Sequence, residues 1–170
     1  MIKKSQVVSE DSEAKLLEVA LSRQDRLLIL LGLDSGLRLG EVAALNVNSI
    51  VATPGASGDI YIGSLAVSKS HELRKFFLSD RTAAAWREHV AGIAGSEEVP
   101  VFSTKQGTRA DSRLFAHRFR KLCQEAGVEP VGFHVLRRTF GFRLASGGCS
   151  PLITAKLLGC SVEWATEFYR

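Results

Sequence analysis

Three short patterns carry residues whose types could do chemistry: an arginine beside a glutamate, a histidine beside an arginine, and a tyrosine near the chain's end. The first is Ser35-Gly36-Leu37-Arg38-Leu39-Gly40-Glu41. Arg38 stands just past a glycine break, at the mouth of a short helix. Its apolar neighbours imply a partly buried backbone, so the guanidinium is held, and Glu41 three residues on can orient it. The second is His134-Val135-Leu136-Arg137-Arg138-Thr139-Phe140. At a helix start, His134 and Arg137 share a face, and an imidazole beside a guanidinium fork suits phosphate oxygens. The third is the tail, Leu157-Leu158-Gly159-Cys160-Ser161, then Trp164 and Phe168-Tyr169-Arg170. A phenol with a pKa of about 10 needs activation or adjacent positive charge to act as a nucleophile. Taken singly, each pattern has a plainer alternative: a structural Arg–Glu pair, a surface His–Arg pair, a core or interface tyrosine.

The elements that must position these groups read as mainly helical. Ser9 caps a helix whose first turn holds Glu10 and Asp11. A very apolar helix spans about 25–34 and stops at Gly36, and a short helical piece follows at 39–45. The period then changes. Segments 49–53, 60–68 and 75–78 are rich in β-branched or aromatic residues, with Pro54-Gly55 and Gly58 as punctuation. They predict a small three-stranded antiparallel sheet. Ser79-Asp80 caps a helix to about His89, and further helices are expected over 111–126, 135–146, 151–158 and 162–170. The fold class is therefore α+β, mainly helical, with helices around a small three-stranded sheet. Trp86 and Trp164 are expected in the core.

Charge narrows the partner. The 170 residues carry a net charge of +4, but residues 103–143 hold nine lysines and arginines against three acidic residues. A basic segment in an otherwise balanced chain points to a polyanion, the alternative being a solvated helix face. Its candidates for contact are Lys105, Arg109, Arg118, Arg120, Lys121 and Arg138. The longest apolar run, residues 27–33, is far short of the roughly 20 residues of a membrane span. No apolar stretch follows the first five residues as a secretory signal would require. Three cysteines cannot all pair within the chain and read as reduced thiols, which places the protein in the cytoplasm and away from membranes. Cys149, Cys160, His134 and His117 lack zinc-site spacing, and the glycines lack phosphate-loop spacing, so no metal and no nucleotide cofactor is expected.

In order and spacing, "SGLRLGE", "HVLRRTFGFRLASGG" and "LLGCSVEWATEFY" resemble the arginine box, the His-x-x-Arg box and the Leu-Gly-His segment of the tyrosine recombinases, the phage integrase family. "LFAHRFRKLCQEAGVEPVGFH" resembles the family's helix before the second box, and "VSKSHELRKFFLSD" its β-hairpin with a mobile lysine. The resemblance covers nearly the whole chain and implies that residues 1–170 form the family's catalytic domain. It implies a site-specific recombinase acting on double-stranded DNA, without metal or ATP, with Tyr169 as the nucleophile that forms a 3′-phosphotyrosyl link. Arg38 and Arg137 would clamp the scissile phosphate, His134 would hydrogen-bond it and assist proton transfer, and Lys69 would be the general acid.

The chain also departs from the family pattern. Cys160 stands where relatives carry His or Trp, and a thiol is a weak donor. Arg138 replaces a common His. Residues 1–8 read as an interdomain linker. An N-terminal DNA-clamping domain and a C-terminal docking tail are expected to be missing from this stretch, leaving it monomeric alone, whereas the full-length protein would meet other protomers in a tetramer on DNA. These departures keep two alternatives in view: a catalytically weakened or inactive DNA-binding module of the same fold, and a type IB topoisomerase-like activity.

Overall fold

Side-chain caps fix where most of the helices begin. The computed structural model describes residues 6–66, 73–95 and 98–169. In chain order these form α1 (Glu10–Val19), α2 (Arg23–Ser35), α3 (Leu39–Ala43), β1 (Ile50–Gly55), β2 (Gly58–Ala66), β3 (Leu73–Phe77), α4 (Asp80–Val90), α5 (Ser112–Glu125), α6 (His134–Ser146), α7 (Pro151–Leu158) and α8 (Val162–Thr166). Ser9, Ser22, Ser79, Ser150 and Ser161 each accept a backbone N–H three residues on, and Asp111 accepts that of Arg113. Each cap of this kind contributes about 1 kcal/mol. The mainly helical α+β class expected from the sequence is the one observed.

The core is built around α2. Leu27, Leu28, Ile29, Leu30, Leu31 and Leu33 are all wholly buried, as a helix that is apolar all round requires. Phe102 and Phe115 meet edge to face at 5.3 Å, and Phe119 and Phe133 at 5.5 Å, in the same core. Trp86 lies there as expected. Around the rim of α2, charges knit the helices together. Asp34 accepts from Arg81 Nε at 2.6 Å, Ser79 at 2.7 Å and Thr82 at 3.0 Å. Glu13 of α1 pairs with Arg81 of α4 and Arg143 of α6.

The helix α2 stops at Gly36, which sits at φ 63° and donates its N–H to the Leu31 carbonyl. A side chain there would collide with Phe140. The left-handed turn therefore needs glycine on both counts.

The sheet is antiparallel in the order β1-β2-β3. Ile50 faces Gly63 across β1 and β2, and Gly63 faces Phe76 across β2 and β3. β1 continues through Pro54-Gly55, two residues past the expected end, because it is an edge strand and a proline there sacrifices no ladder bond. β3 begins at Leu73 rather than 75, and its alternation turns Arg74 and Phe76 inward. The expected tail helix over 162–170 is shorter: α8 ends at Thr166 and a tighter 3₁₀ turn carries Glu167–Tyr169. Among the described residues, no helix is long and apolar enough to cross a membrane.

Candidate active site

Arg38 takes the N-cap position of α3 directly after the Gly36 turn, with Leu37 wholly buried beneath it. Its backbone N–H donates to Glu41 Oε2 at 2.7 Å, and its guanidinium donates to Glu41 Oε1 at 3.0 Å and to the Gly159 carbonyl at 2.9 Å. The side chain remains about half exposed. It is thus held at its base and along one edge while the rest faces solvent. Arg137, one turn into α6, is buried and donates to the Gly36 carbonyl at 2.7 Å. Its guanidinium lies 5.8 Å from the centre of the Trp164 ring. Burial, reinforced by the nearby guanidiniums of Arg38 and Arg74, pulls its pKa down to about 10. That is still far enough above neutrality to keep the charge.

These two arginines meet His134, Arg138, Leu39, Phe133 and Trp164 around one open cleft of about 520 Å³. His134 is the first residue of α6 and Arg138 follows one turn later, so both project with Arg137 from the helix start, where the helix dipole adds positive potential. Burial and then the Arg138 charge push the His134 pKa below its ordinary value. The imidazole is therefore neutral at neutral pH and can both donate and accept. Trp164, expected in the core, lies only half-buried and forms a wall of the cleft. Its ring is wanted beneath the Arg137 cation, an attraction the residue type alone does not announce.

A third arginine enters from the sheet. Arg74, inward-facing on β3 and 8% exposed, donates to Glu41 Oε2 at 2.5 Å and to the carbonyls of Leu157 and Leu158 at 2.9 and 2.7 Å. Nothing in its sequence neighbourhood singled it out; the signal was strand period two with Phe76, had the strand been started at 73. Cys160 follows the left-handed Gly159 that closes α7, and its Sγ makes only a weak 3.9 Å contact to the Ala155 carbonyl. Burial pushes the thiol pKa up against the pull of Arg137, Arg38 and Arg74, so a neutral thiol sits among three cations.

Tyr169 is elsewhere. It is not among the residues lining the cleft. Its hydroxyl donates to the Cys149 carbonyl and lies 2.7 Å from Thr154 Oγ1. Thr154 is wholly buried on α7. Lys69 lies outside the described residues. Of the basic candidates, Arg138 lines the cleft, and Lys105, Arg120 and Lys121 are exposed. Arg109 and Arg118 are engaged within the protein: Arg109 with the Ala43 carbonyl at 3.0 Å and with Asn46, and Arg118 with Asp25 at 2.6 Å and Glu125 at 3.5 Å.

The sequence profile of the phage integrase family matches residues 6–170. Tyrosine recombinase XerC of Vibrio cholerae serotype O1 is 26% identical over 167 residues, which cover 94% of this chain and 51% of that protein. The chain spans about half the length of the curated relatives it matches. Among solved structures, XerA recombinase superposes with a TM-score of 0.78 at 20% identity, over 95% of this chain and 59% of that one. The Tn1549 transposon integrase, solved in complex with circular intermediate DNA, superposes with a TM-score of 0.75 at 16% identity, over 99% of this chain and 64% of its own. A profile that takes in every described residue, joined to a shared fold, leaves one conclusion: the chain belongs to the phage integrase family.

Proposed function

We propose that this chain is the catalytic domain of a site-specific DNA recombinase, an integrase that breaks and rejoins strands of double-stranded DNA through a 3′-phosphotyrosyl intermediate. The supporting observation is convergence: Arg38, His134 and Arg137 line one cleft, although Arg137 bonds Gly36 across 101 residues of sequence. Arg38 and Arg137 bind the two non-bridging oxygens of the scissile phosphate. They stay charged, offer forked donors and face charge that grows on those oxygens in the transition state. Losing one such fixed donor commonly costs about 2.7–4 kcal/mol.

In the proposed step the Tyr169 oxygen attacks phosphorus, a bond forms to the 3′-phosphate, and the bond to the 5′-oxygen breaks. His134 assists removal of the phenolic proton, and Lys69 supplies a proton to the departing 5′-oxygen. Rejoining reverses these steps with a new 5′-hydroxyl, so the phosphotyrosyl link conserves the bond energy and no ATP is consumed. Tyr169 must first leave Thr154 and Cys149 to reach the phosphate. Three further protomers, making a tetramer on DNA in the full-length protein, complete the exchange, and the setting is the cytoplasm.

Cys160 favours a second reading, a DNA-binding module of the same fold that has lost cutting, since a weak donor stands among the phosphate-facing cations. Covalent trapping separates the two. The protein and Tyr169→Phe are each mixed at low salt with a pool of nicked suicide duplexes. A protease-sensitive adduct that Tyr169→Phe abolishes is the expected result. Salt-sensitive binding with no adduct, persisting after Cys160→His, would establish the binding module instead.

A further inference from the structure

We propose that Arg74 is a positioning residue of this site: it sets the orientation of Arg38 by holding Glu41 and the helix end that leads into Gly159, the two places to which the Arg38 guanidinium is tied. The inference rests on the proposed role of Arg38 as a phosphate clamp. Arg38 has two guanidinium anchors, Glu41 Oε1 at 3.0 Å and the Gly159 carbonyl at 2.9 Å. Arg74 reaches behind each. One nitrogen donates to Glu41 Oε2 at 2.5 Å, so the Glu41 carboxylate is shared between two arginines that grip opposite oxygens. The other nitrogen donates to the carbonyls of Leu157 and Leu158, the residues just before Gly159. A helix end leaves such carbonyls without intrahelical partners, and a cation is favoured there. Gly159 itself is pressed on the Arg74 stem: a Cβ at that position would lie 2.3 Å from Arg74 Cδ.

The chemistry requires arginine. Three acceptors on two elements are met by one buried planar fork, which a lysine ammonium on a flexible stem cannot reproduce. With 8% exposure, Arg74 faces the protein rather than a ligand, so its influence on a phosphate passes through Arg38. Its burial is offset in part by these three acceptors, and no buried side-chain polar atom among the described residues lacks a partner. The same fork locks the turn that carries Cys160, so β3, α3 and the end of α7 are brought to one register by a single side chain.

Two readouts on Arg74→Lys test this, with Glu41→Gln as a second variant should the first fail to fold; thermal melting certifies both. The first readout needs no DNA. The Arg38 Nε–H resonance, assigned by its absence in Arg38→Lys, is expected to be a single sharp signal in the parent protein. It should broaden or shift in Arg74→Lys. An unchanged signal overturns the proposal. The second is the single-turnover rate of adduct formation on suicide duplexes selected from a randomised pool by the parent protein. Arg74→Lys should slow this step roughly a hundredfold, the scale of a small misplacement of a clamping group. In an Arg38→Lys background, where no fork remains to orient, the same change should cost about twofold or less. Equal losses in both backgrounds would mark Arg74 as structural only and overturn the proposal. If the parent protein forms no Tyr169-dependent adduct, the proposed activity fails, while the resonance still decides whether Arg74 orients Arg38.

Discussion

The hydroxyl of Tyr169 is occupied, and removing one of its partners should speed cutting. Tyr169 has one proton to give, and the Cys149 carbonyl can only accept, so that proton goes to Cys149. The Thr154 hydroxyl, 2.7 Å away, must then donate to the phenolic oxygen. In Thr154→Val a methyl replaces the hydroxyl in nearly the same volume, and the held position loses one hydrogen bond. Such a bond contributes about 1 kcal/mol net, roughly a fivefold change in an equilibrium. Release in the parent protein also strands a wholly buried Thr154 hydroxyl, at up to about 3 kcal/mol, whereas valine strands nothing. Tyr169 is 37% exposed, so water can meet its oxygen in either protein. The expected gain in adduct rate is therefore at least about fivefold, until release no longer limits. The assay is single-turnover adduct formation on suicide duplexes, with DNA affinity by fluorescence anisotropy and melting temperature as controls. An adduct rate equal to or below that of the parent, in a folded protein with unchanged affinity, would refute this account of Tyr169.

Three further outcomes are expected. Cys160→His should raise the adduct rate by about tenfold or more, because an imidazole offers the hydrogen bond of roughly 1.5–3 kcal/mol to a charged partner that a thiol does not; rates on the same duplexes check it. Asp34 is opposed by its burial, but the donors Arg81, Ser79 and Thr82 outweigh that and hold its pKa below the ordinary carboxylate value. The native state therefore binds fewer protons than the unfolded chain just below about pH 4, so the stability Asp34 contributes is present above that pH and lost as pH falls through the native value. Melting temperature against pH should show this acid limb, and Asp34→Asn should flatten it. DNA affinity should fall by orders of magnitude between about 50 and 200 mM salt, and Arg120→Ala should lessen the slope of log affinity against log salt without abolishing adduct formation.

Much of the architecture was legible because local chemistry decides it. Ser9, Ser79, Asp111 and Ser161 cap helices within a residue or two of the expected starts, and Gly36 ends α2 as its conformational freedom allows. The spacing of His134 and Arg137 put both on one helix face, and the family resemblance joined Arg38 to them; the three line one cleft. What escaped depends on tertiary context. Pro54 reads as a terminator, yet it lies inside β1 because that strand is at an edge. Trp164 reads as core, yet a buried cation recruits its face to the cleft wall. Arg74 falls outside the strand expected at 75–78, and only the packed structure brings Glu41 and the α7 end to it. The partners of Tyr169 lie 15 and 20 residues back, on α7 and in the turn before it, at spacings that carry no local signal.

The direct join of α2 to Arg38 divides the molecule by lifetime. Amide protons in the wholly buried turns of α2 can exchange with solvent only when the whole domain opens. Arg38 stands three residues beyond that helix, across one glycine turn. Tyr169 instead hangs from a five-residue helix and a single 3₁₀ turn, and segments so short open at small local cost. Deuterium uptake should thus reach the tail within a time in which the helix behind Arg38 remains fully protonated. Heating would loosen the tyrosine well before it disturbs the turn that holds Arg38, which makes the proposed nucleophile the replaceable, adjustable component and the proposed clamp the permanent one.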